Sequence, residues 1–119
     1  MLRISVCREY YEHVIHGCLV LPAVLEEENY SLFKFWFEDR IHDGLYYRHE
    51  LFYRLQTLSV EFRAQLYHSA CQLAQQEPVV VTVTSDTCSL WVSLQNPNDM
   101  MIKRRNQMAQ QLAHLQIHR

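Results

Sequence analysis

The residues of this chain that come closest to a set of metal ligands are His13, His16 and Cys18, with Cys7 upstream. Imidazole and thiolate groups are good zinc ligands, and two histidines three residues apart share one face of a helix. Gly17 interrupts that helix, however, and no second close pair of cysteines or histidines completes a tetrahedron. We therefore expect ordinary surface histidines here, with no metal site and no bound cofactor.

Covalent catalysis by a cysteine that a histidine activates is the second chemistry to consider, since the chain has four cysteines and seven histidines. No cysteine lies beside a glycine-rich turn that could supply an oxyanion hole. Gly17 and Gly44 are the only glycines, which also excludes a glycine-rich nucleotide-binding loop. The start of the chain carries no secretory signal, so we expect reduced cysteines in a cytoplasmic protein that is not an enzyme.

The densest basic group is the run Lys103–Arg105, but three successive helical residues spread over about 200° and do not face one groove. Eleven basic and thirteen acidic residues leave a formal charge of −2, which argues against phosphate neutralisation as the main function. A nucleic-acid-binding module is the alternative hypothesis. It would use this run with Lys34, Trp36 and Trp91, the tryptophans serving as stacking platforms.

Trp36 and Trp91 both lie within predicted strands, on the side opposite the residues that should build the core. Large aromatic side chains on an outward face often anchor contacts with other molecules. Alternatively, helices cover both faces of the sheet and the two tryptophans belong to the core. The residues alone leave both interpretations open.

Period-two alternation of apolar residues predicts the strands. The strongest pattern is Tyr30–Asp39, whose three alternating phenylalanines should face the core. A hairpin is predicted from strands at Val79–Val83 and Leu90–Leu94, joined by a turn at Ser85–Thr87. The run Leu2–Cys7 reads as a further short strand at the beginning of the chain.

Helical spacing predicts one long central helix over Tyr46–Gln76, and Arg40–Gly44 would connect the preceding strand to it. A helix of about 28 residues spans about 42 Å. A domain of this size has a diameter of about 35 Å, so we expect either a break near Ser59 or an overhang that another chain covers. The apolar stripe of this helix consists of Leu51, Leu55, Leu58, Phe62, Leu66, Ser69 and Leu73. We expect Phe62, between Leu58 and Leu66 on this stripe, to form the centre of the core.

Three further helical segments are predicted. One is a short helix over Arg8–His16, and another is a helical turn, favoured over a strand, that begins at Pro22 and ends in the acidic run 26–28. The third is a C-terminal helix that starts at a cap formed by Asn96–Asp99 and runs almost to the end of the chain. Its apolar stripe is formed by Met101, Met108, Leu112 and Leu115.

These elements predict a single α+β domain over residues 1–119: a small, mainly antiparallel sheet of about four strands, one long central helix and a C-terminal helix. The predicted function is that of a small cytoplasmic interaction protein, an adaptor, assembly factor or inhibitor, which forms a homodimer and contacts a protein partner. No segment is apolar enough to suggest a membrane span. The residues expected to make the contacts are Trp36, Trp91, Lys34, Met108, Leu112 and Leu115.

Overall fold

The computed structural model describes residues 20–37, 39–94 and 99–117 of the 119-residue chain. The predicted strand Leu2–Cys7, the predicted helix Arg8–His16 and the histidines and cysteines considered as metal ligands lie outside the described residues. The same holds for Asn96–Asn98 of the predicted helix cap.

Six strands and two α-helices make up the described part of the chain. In chain order they are β1 (Ala23–Glu26), β2 (Leu32–Phe37), β3 (Arg40–Tyr47), β4 (Glu50–Ser59), α1 (Arg63–Ala74), β5 (Val79–Val83), β6 (Thr87–Ser93) and α2 (Asp99–Ile117). The sheet order is β1-β5-β6-β4-β3-β2, and only the pair β1 and β5 is parallel. The α+β class is confirmed. The expected mainly antiparallel sheet of about four strands is wrong in its number of strands, because six strands form a mixed sheet in which four of the five pairings are antiparallel.

The prediction of one long central helix over Tyr46–Gln76 is also wrong. The first part of that segment forms the end of β3 and all of β4, and α1 begins only at Arg63, after a 3-10 turn at Val60–Phe62. The two strands are joined by a two-residue turn at Arg48 and His49, whose φ angles are 51° and 65°. Positive φ at both positions is the geometry of a tight hairpin turn. Such turns usually contain asparagine or glycine, and Arg48 and His49 are neither, so the sequence carries no signal for this turn.

A β-bulge explains why β4 has the leucine spacing of a helix. Leu51 and Leu55 are four residues apart and share a face of the strand because four is a multiple of two. The pairing of β4 with β6 shifts between Arg54 and Gln56, which inserts one extra residue. Leu55 and Leu58, three residues apart, therefore both pack into the same core. Steps of four and three fit a bulged strand as well as a helix.

The segment that follows Pro22 is a strand and not the helical turn that we favoured. β1 pairs in parallel with β5, with Val24 opposite Val81. The acidic run then forms a 3-10 turn at Glu27–Asn29. Since β1 and β2 lie at opposite edges of the sheet, residues 27–31, here called the crossover, run across one of its faces.

Three further predicted elements that fall on described residues are confirmed: the strand within Tyr30–Asp39, the hairpin and the C-terminal helix. β2 lies within the predicted strand Tyr30–Asp39, although Arg40–Gly44 belongs to β3 and is not a connection. β5 and β6 form the predicted hairpin, with Val79 opposite Val92 and Val81 opposite Leu90. The C-terminal helix is α2, and neither helix of the described residues is long and apolar enough to cross a bilayer.

The main core lies between the sheet and its two helices, on what we call the helix face. Leu66 and Leu73 of α1 and Leu112 of α2 are buried there against the valines of β5 and β6. Phe62, expected at the centre of the core, packs only at its margin and stays partly exposed. The apolar stripe of α2 is therefore satisfied within its own chain.

A second, smaller core lies on the opposite side of the sheet, which we call the far face. Trp91 at its centre is completely buried among Leu45, Phe52 and Val80. Tyr30 of the crossover packs against this cluster. Within the described ranges, a loop and not a helix covers this part of the far face.

Candidate interaction surface

The hairpin formed by β2 and β3 carries the largest exposed apolar side chains of the sheet. Trp36 and Ile41 lie directly opposite each other and are 68% and 66% exposed. Leu32, on the same face, and Phe33, on the helix face, are also exposed. We call these four residues the hairpin patch. Monomeric proteins seldom keep so many large apolar groups together at one edge, so the patch is a candidate contact surface.

A row of aromatic rings supports the patch on the helix face. The ring centroids of Phe33 and Phe35 are 5.9 Å apart, and those of Phe35 and Phe37 are 6.2 Å apart. His42 of β3 stacks on Phe35 at 5.6 Å. Gly44 lies opposite Phe33, and a Cβ there would come within 2.4 Å of the Phe33 ring. The glycine therefore lets that ring lie flat on the backbone of β3.

The two helices leave this row of rings open. α1 packs on β5 and β6, and α2 packs chiefly on β4. Between α2 and the hairpin a cavity of about 160 Å³ remains, lined by Phe37, His42 and Tyr53 from the sheet and by Ile102 and Arg105 from the helix. The three phenylalanines of β2 lie on the helix face, but the expectation that they face the core is wrong. None of them packs in either core, Phe33 is 37% exposed, and the described helices do not reach across the row.

A partly buried charge network on the far face holds the hairpin and the crossover to the sheet. The guanidinium of Arg54 lies over the Trp91 ring, with 4.6 Å from its carbon to the ring centroid. Its Nε forms an ion pair with Oδ2 of Asp43 at 3.1 Å, and Nη2 lies 3.6 Å from Oε2 of Glu27. Thr82 donates a hydrogen bond of 2.7 Å to the same carboxylate.

Asp43 links this network to the hairpin patch. The Lys34 ammonium donates a hydrogen bond to Oδ1 of Asp43 across the β2–β3 pair. That hydrogen bond, together with the charges of Lys34 and Arg54, outweighs partial burial and holds the pKa of Asp43 below its usual value. The one basic side chain of β2 is therefore neutralised within the chain, beside an apolar patch.

The predicted contact residues fall into two groups. Trp36 and Lys34 lie on the surface of β2. Trp91 is in the far-face core, so its expected outward position is wrong and the alternative of a covered tryptophan holds for it. The C-terminal helix residues turn inward as well: Met108 and Leu112 are buried in the main core, and Leu115 packs against it.

Among the described residues, the groups considered for nucleic-acid binding and for catalysis do not form a common site. Arg105 of the basic run is buried and donates a hydrogen bond of 2.8 Å from Nε to Glu77. Trp91 has no accessible face on which a base could stack. Among the described cysteines, burial raises the pKa of the Cys71 and Cys88 thiols, which disfavours the reactive thiolate.

Ile41 and Leu32 are surface residues that sequence analysis missed. Ile41 fell in a segment that was expected to be a connection, and only its pairing with Trp36 reveals its position. Leu32 precedes the phenylalanine alternation and belongs to the other face of the strand. No family model, curated protein or solved structure matches this chain.

Proposed function

We propose that this chain is a non-enzymatic interaction protein, an adaptor, assembly factor or inhibitor, which binds protein chains through the hairpin patch. The observation that carries the proposal is the exposed pair of Trp36 and Ile41 at the edge of the sheet. Tryptophan is the residue type that most often dominates the energy of a protein interface. The contact surface is therefore the sheet edge and not the C-terminal helix.

The size of the exposed group supports this assignment. An exposure of 68% corresponds to about 170 Å² of a Trp side chain that can bury about 250 Å². At about 25 cal/mol per Å², covering that surface contributes about 4 kcal/mol before the entropic cost of association is subtracted. Ile41 beside it adds a second apolar anchor, so one partner can cover both at once.

Charge favours protein over nucleic acid as the ligand. The chain carries a formal charge of −2, and Lys34, the only basic residue of β2, already pairs with Asp43. Nucleic-acid binding needs several unpaired cations near the aromatic platform. We place the protein in the cytoplasm, which the free thiols of Cys71 and Cys88 support, because reducing compartments keep cysteines unpaired.

Site-specific photocrosslinking tests the proposal. Benzoylphenylalanine is introduced in place of Trp36 in the chain expressed in its native host, and in place of Met100 as a control. Met100 is the matched position because it is apolar, 69% exposed and lies on α2 and not on the hairpin. We expect a discrete protein adduct from position 36 and none from position 100.

A second variant shows whether the adduct depends on the patch. Ile41→Lys places a charge opposite residue 36 and should abolish the adduct, since an apolar partner surface would then face an ammonium group. Equal adducts from positions 36 and 100, or an adduct from position 36 that Ile41→Lys leaves unchanged, would contradict the proposal. The mass of the adduct tells whether the partner is a second copy of this chain or another protein.

A further inference from the structure

The two edges of the sheet are protected to different degrees. β1 has four residues and leads into the acidic run 26–28, and short strands with charged ends discourage pairing with another chain. β2 has six residues, contains neither proline nor glycine, and carries Lys34 as its only charge. Its outer backbone groups have no partner strand among the described residues. β2 is thus an open template for a further strand.

We propose that a second copy of this chain docks on β2 by antiparallel strand pairing, with the two-fold axis passing through Phe35. This inference rests on the proposed function and names the partner of the same surface. The strand pairing joins the sheets of the two copies into one continuous sheet across the axis. The argument for a second copy is that the sequence of β2 is complementary to itself in this register.

On the helix face the register extends the row of aromatic rings. Phe35 lies opposite Phe35 of the partner subunit, and Phe33 lies opposite Phe37 of the partner subunit. The spacing of about 6 Å between neighbouring rings within β2 then continues across the axis. Aromatic pairs directly opposite each other are among the more favourable cross-strand contacts.

On the far face the same register places Lys34 opposite Trp36 of the partner subunit. An ammonium group near the face of an indole ring is attracted by the ring quadrupole. Each dimer contains this pair twice because of the two-fold axis. The exposed Trp36 is covered, and the charge of Lys34 remains compensated by Asp43 of its own chain.

Other registers that keep the two helix faces on one side either set like charges opposite each other or pair fewer residues of β2. A shift of the axis to Lys34 sets two ammonium groups directly opposite each other, which is destabilising. A shift to Trp36 pairs Phe33 with Asp39 of the partner subunit, beyond the end of β2. The axis at Phe35 is the register that pairs Phe33–Phe37 in full without opposing like charges.

Paired charge variants of Trp36 test both the partner and the register. Trp36→Glu and Trp36→Lys remove the same ring, but the first sets a carboxylate opposite Lys34 of the partner subunit and the second an ammonium group. Opposite charges across a strand pair are favourable and like charges are not, and each change counts twice. We expect Trp36→Glu to dimerise about tenfold more tightly than Trp36→Lys, and both more weakly than the parent.

Sedimentation equilibrium of the full chain over a hundredfold concentration range gives the dissociation constants. The parent should approach twice the 14.3 kDa of one chain. Salt should weaken the Trp36→Glu dimer and strengthen the Trp36→Lys dimer, because it screens attraction in one and repulsion in the other. Met100→Glu and Met100→Lys, at a position of equal exposure on α2, should leave the constant unchanged.

A parent that stays at 14.3 kDa throughout overturns the inference. That result is expected if another protein, or the predicted strand Leu2–Cys7 of the same chain, occupies β2. If the two Trp36 variants weaken the dimer equally, the proposed register is wrong. If neither variant weakens the dimer, the dimer contact lies elsewhere on the chain. A monomeric chain that still gives a specific crosslink to another protein from position 36 refutes this inference alone and leaves the proposed function standing.

Discussion

Arg105 of α2 and Glu77, which lies between α1 and β5, form a buried ion pair. The guanidinium donates to Oε1 of Glu77 through both Nε and Nη2, and the exposed fractions of the two side chains are 3% and 0%. Nη2 also donates to the backbone oxygen of Ser93, and Nη1 donates to the Tyr53 hydroxyl. Burial acts to lower the pKa of Arg105, but the hydrogen bond and charge of Glu77 outweigh it and raise that pKa.

Removal of one member of this pair should destabilise the fold strongly. Glu77→Ala leaves the Arg105 guanidinium buried without its counter-ion, and the free energy of unfolding should fall by about 3 to 5 kcal/mol. The double variant Glu77→Leu with Arg105→Met buries no charge and should lose less than the single variant. Urea denaturation at one fixed protein concentration measures all three proteins. A loss below about 1 kcal/mol for Glu77→Ala would contradict the structure.

Leu112 should matter for folding and not for association. It is 2% exposed and packs in the main core, so Leu112→Ala should lower the free energy of unfolding by about 2 to 5 kcal/mol. Under conditions in which the variant is folded, the dissociation constant of its dimer should equal that of the parent dimer. Sedimentation of the folded variant checks this. A folded Leu112→Ala chain that dimerises much more weakly would restore α2 as a contact surface.

Gly44 should be required by the ring of Phe33 that lies against it. The two nearest ring carbons would be 2.4 and 2.5 Å from an added Cβ, so the ring must move in Gly44→Ala. We expect a loss of about 1 kcal/mol in the free energy of unfolding, which is at the low end of the cost of overpacking. The cost is low because the Phe33 ring is partly exposed and can move towards solvent. In a Phe33→Ala background the same change should cost close to nothing. If Gly44→Ala costs the same in both backgrounds, its effect arises from the backbone of residue 44 and not from the Phe33 ring.

The ion pairs of Asp43 should stabilise the fold in a pH-dependent way. A carboxyl whose pKa is lowered by folding contributes stability above its ordinary value of 3.8, and this contribution disappears as the pH falls through the lowered pKa. Asp43→Asn should therefore be less stable than the parent at neutral pH, and the difference should vanish in acid. Urea denaturation at several pH values from neutral down to pH about 2 tests the direction.

Lys34→Gln provides the control for that experiment. The hydrogen bond from Lys34 is the largest cause of the lowered pKa of Asp43. In the Lys34→Gln background, the stability lost through Asp43→Asn should therefore be smaller and should disappear at a higher pH. A loss that is the same with and without Lys34 would assign the effect to Arg54 alone. Lys34 is exposed at its tip, so this change should not disturb the core.

For the candidate surface, the sequence identified Trp36 and Lys34 but not Ile41 or Leu32. The alternation in β2 was enough to place Trp36 away from the phenylalanines. It could not show that Arg40–Gly44 is the neighbouring strand, because the turn before it contains Asp39 at a φ of 64° and no glycine. The position of Ile41 depends on that pairing, for which the turn carries no local signal.

The sequence by itself determined the elements whose patterns are local and unmixed: β2, the β5–β6 hairpin and α2. Tertiary structure decided the rest. The bulge in β4 made a strand look like a helix, since its cross-strand partner absorbs the extra residue. The burial of Trp91 depends on a crossover that reaches over it from the far edge and on Arg54, which covers its ring. These contacts join residues that are far apart in the chain, so no periodicity along the sequence records them.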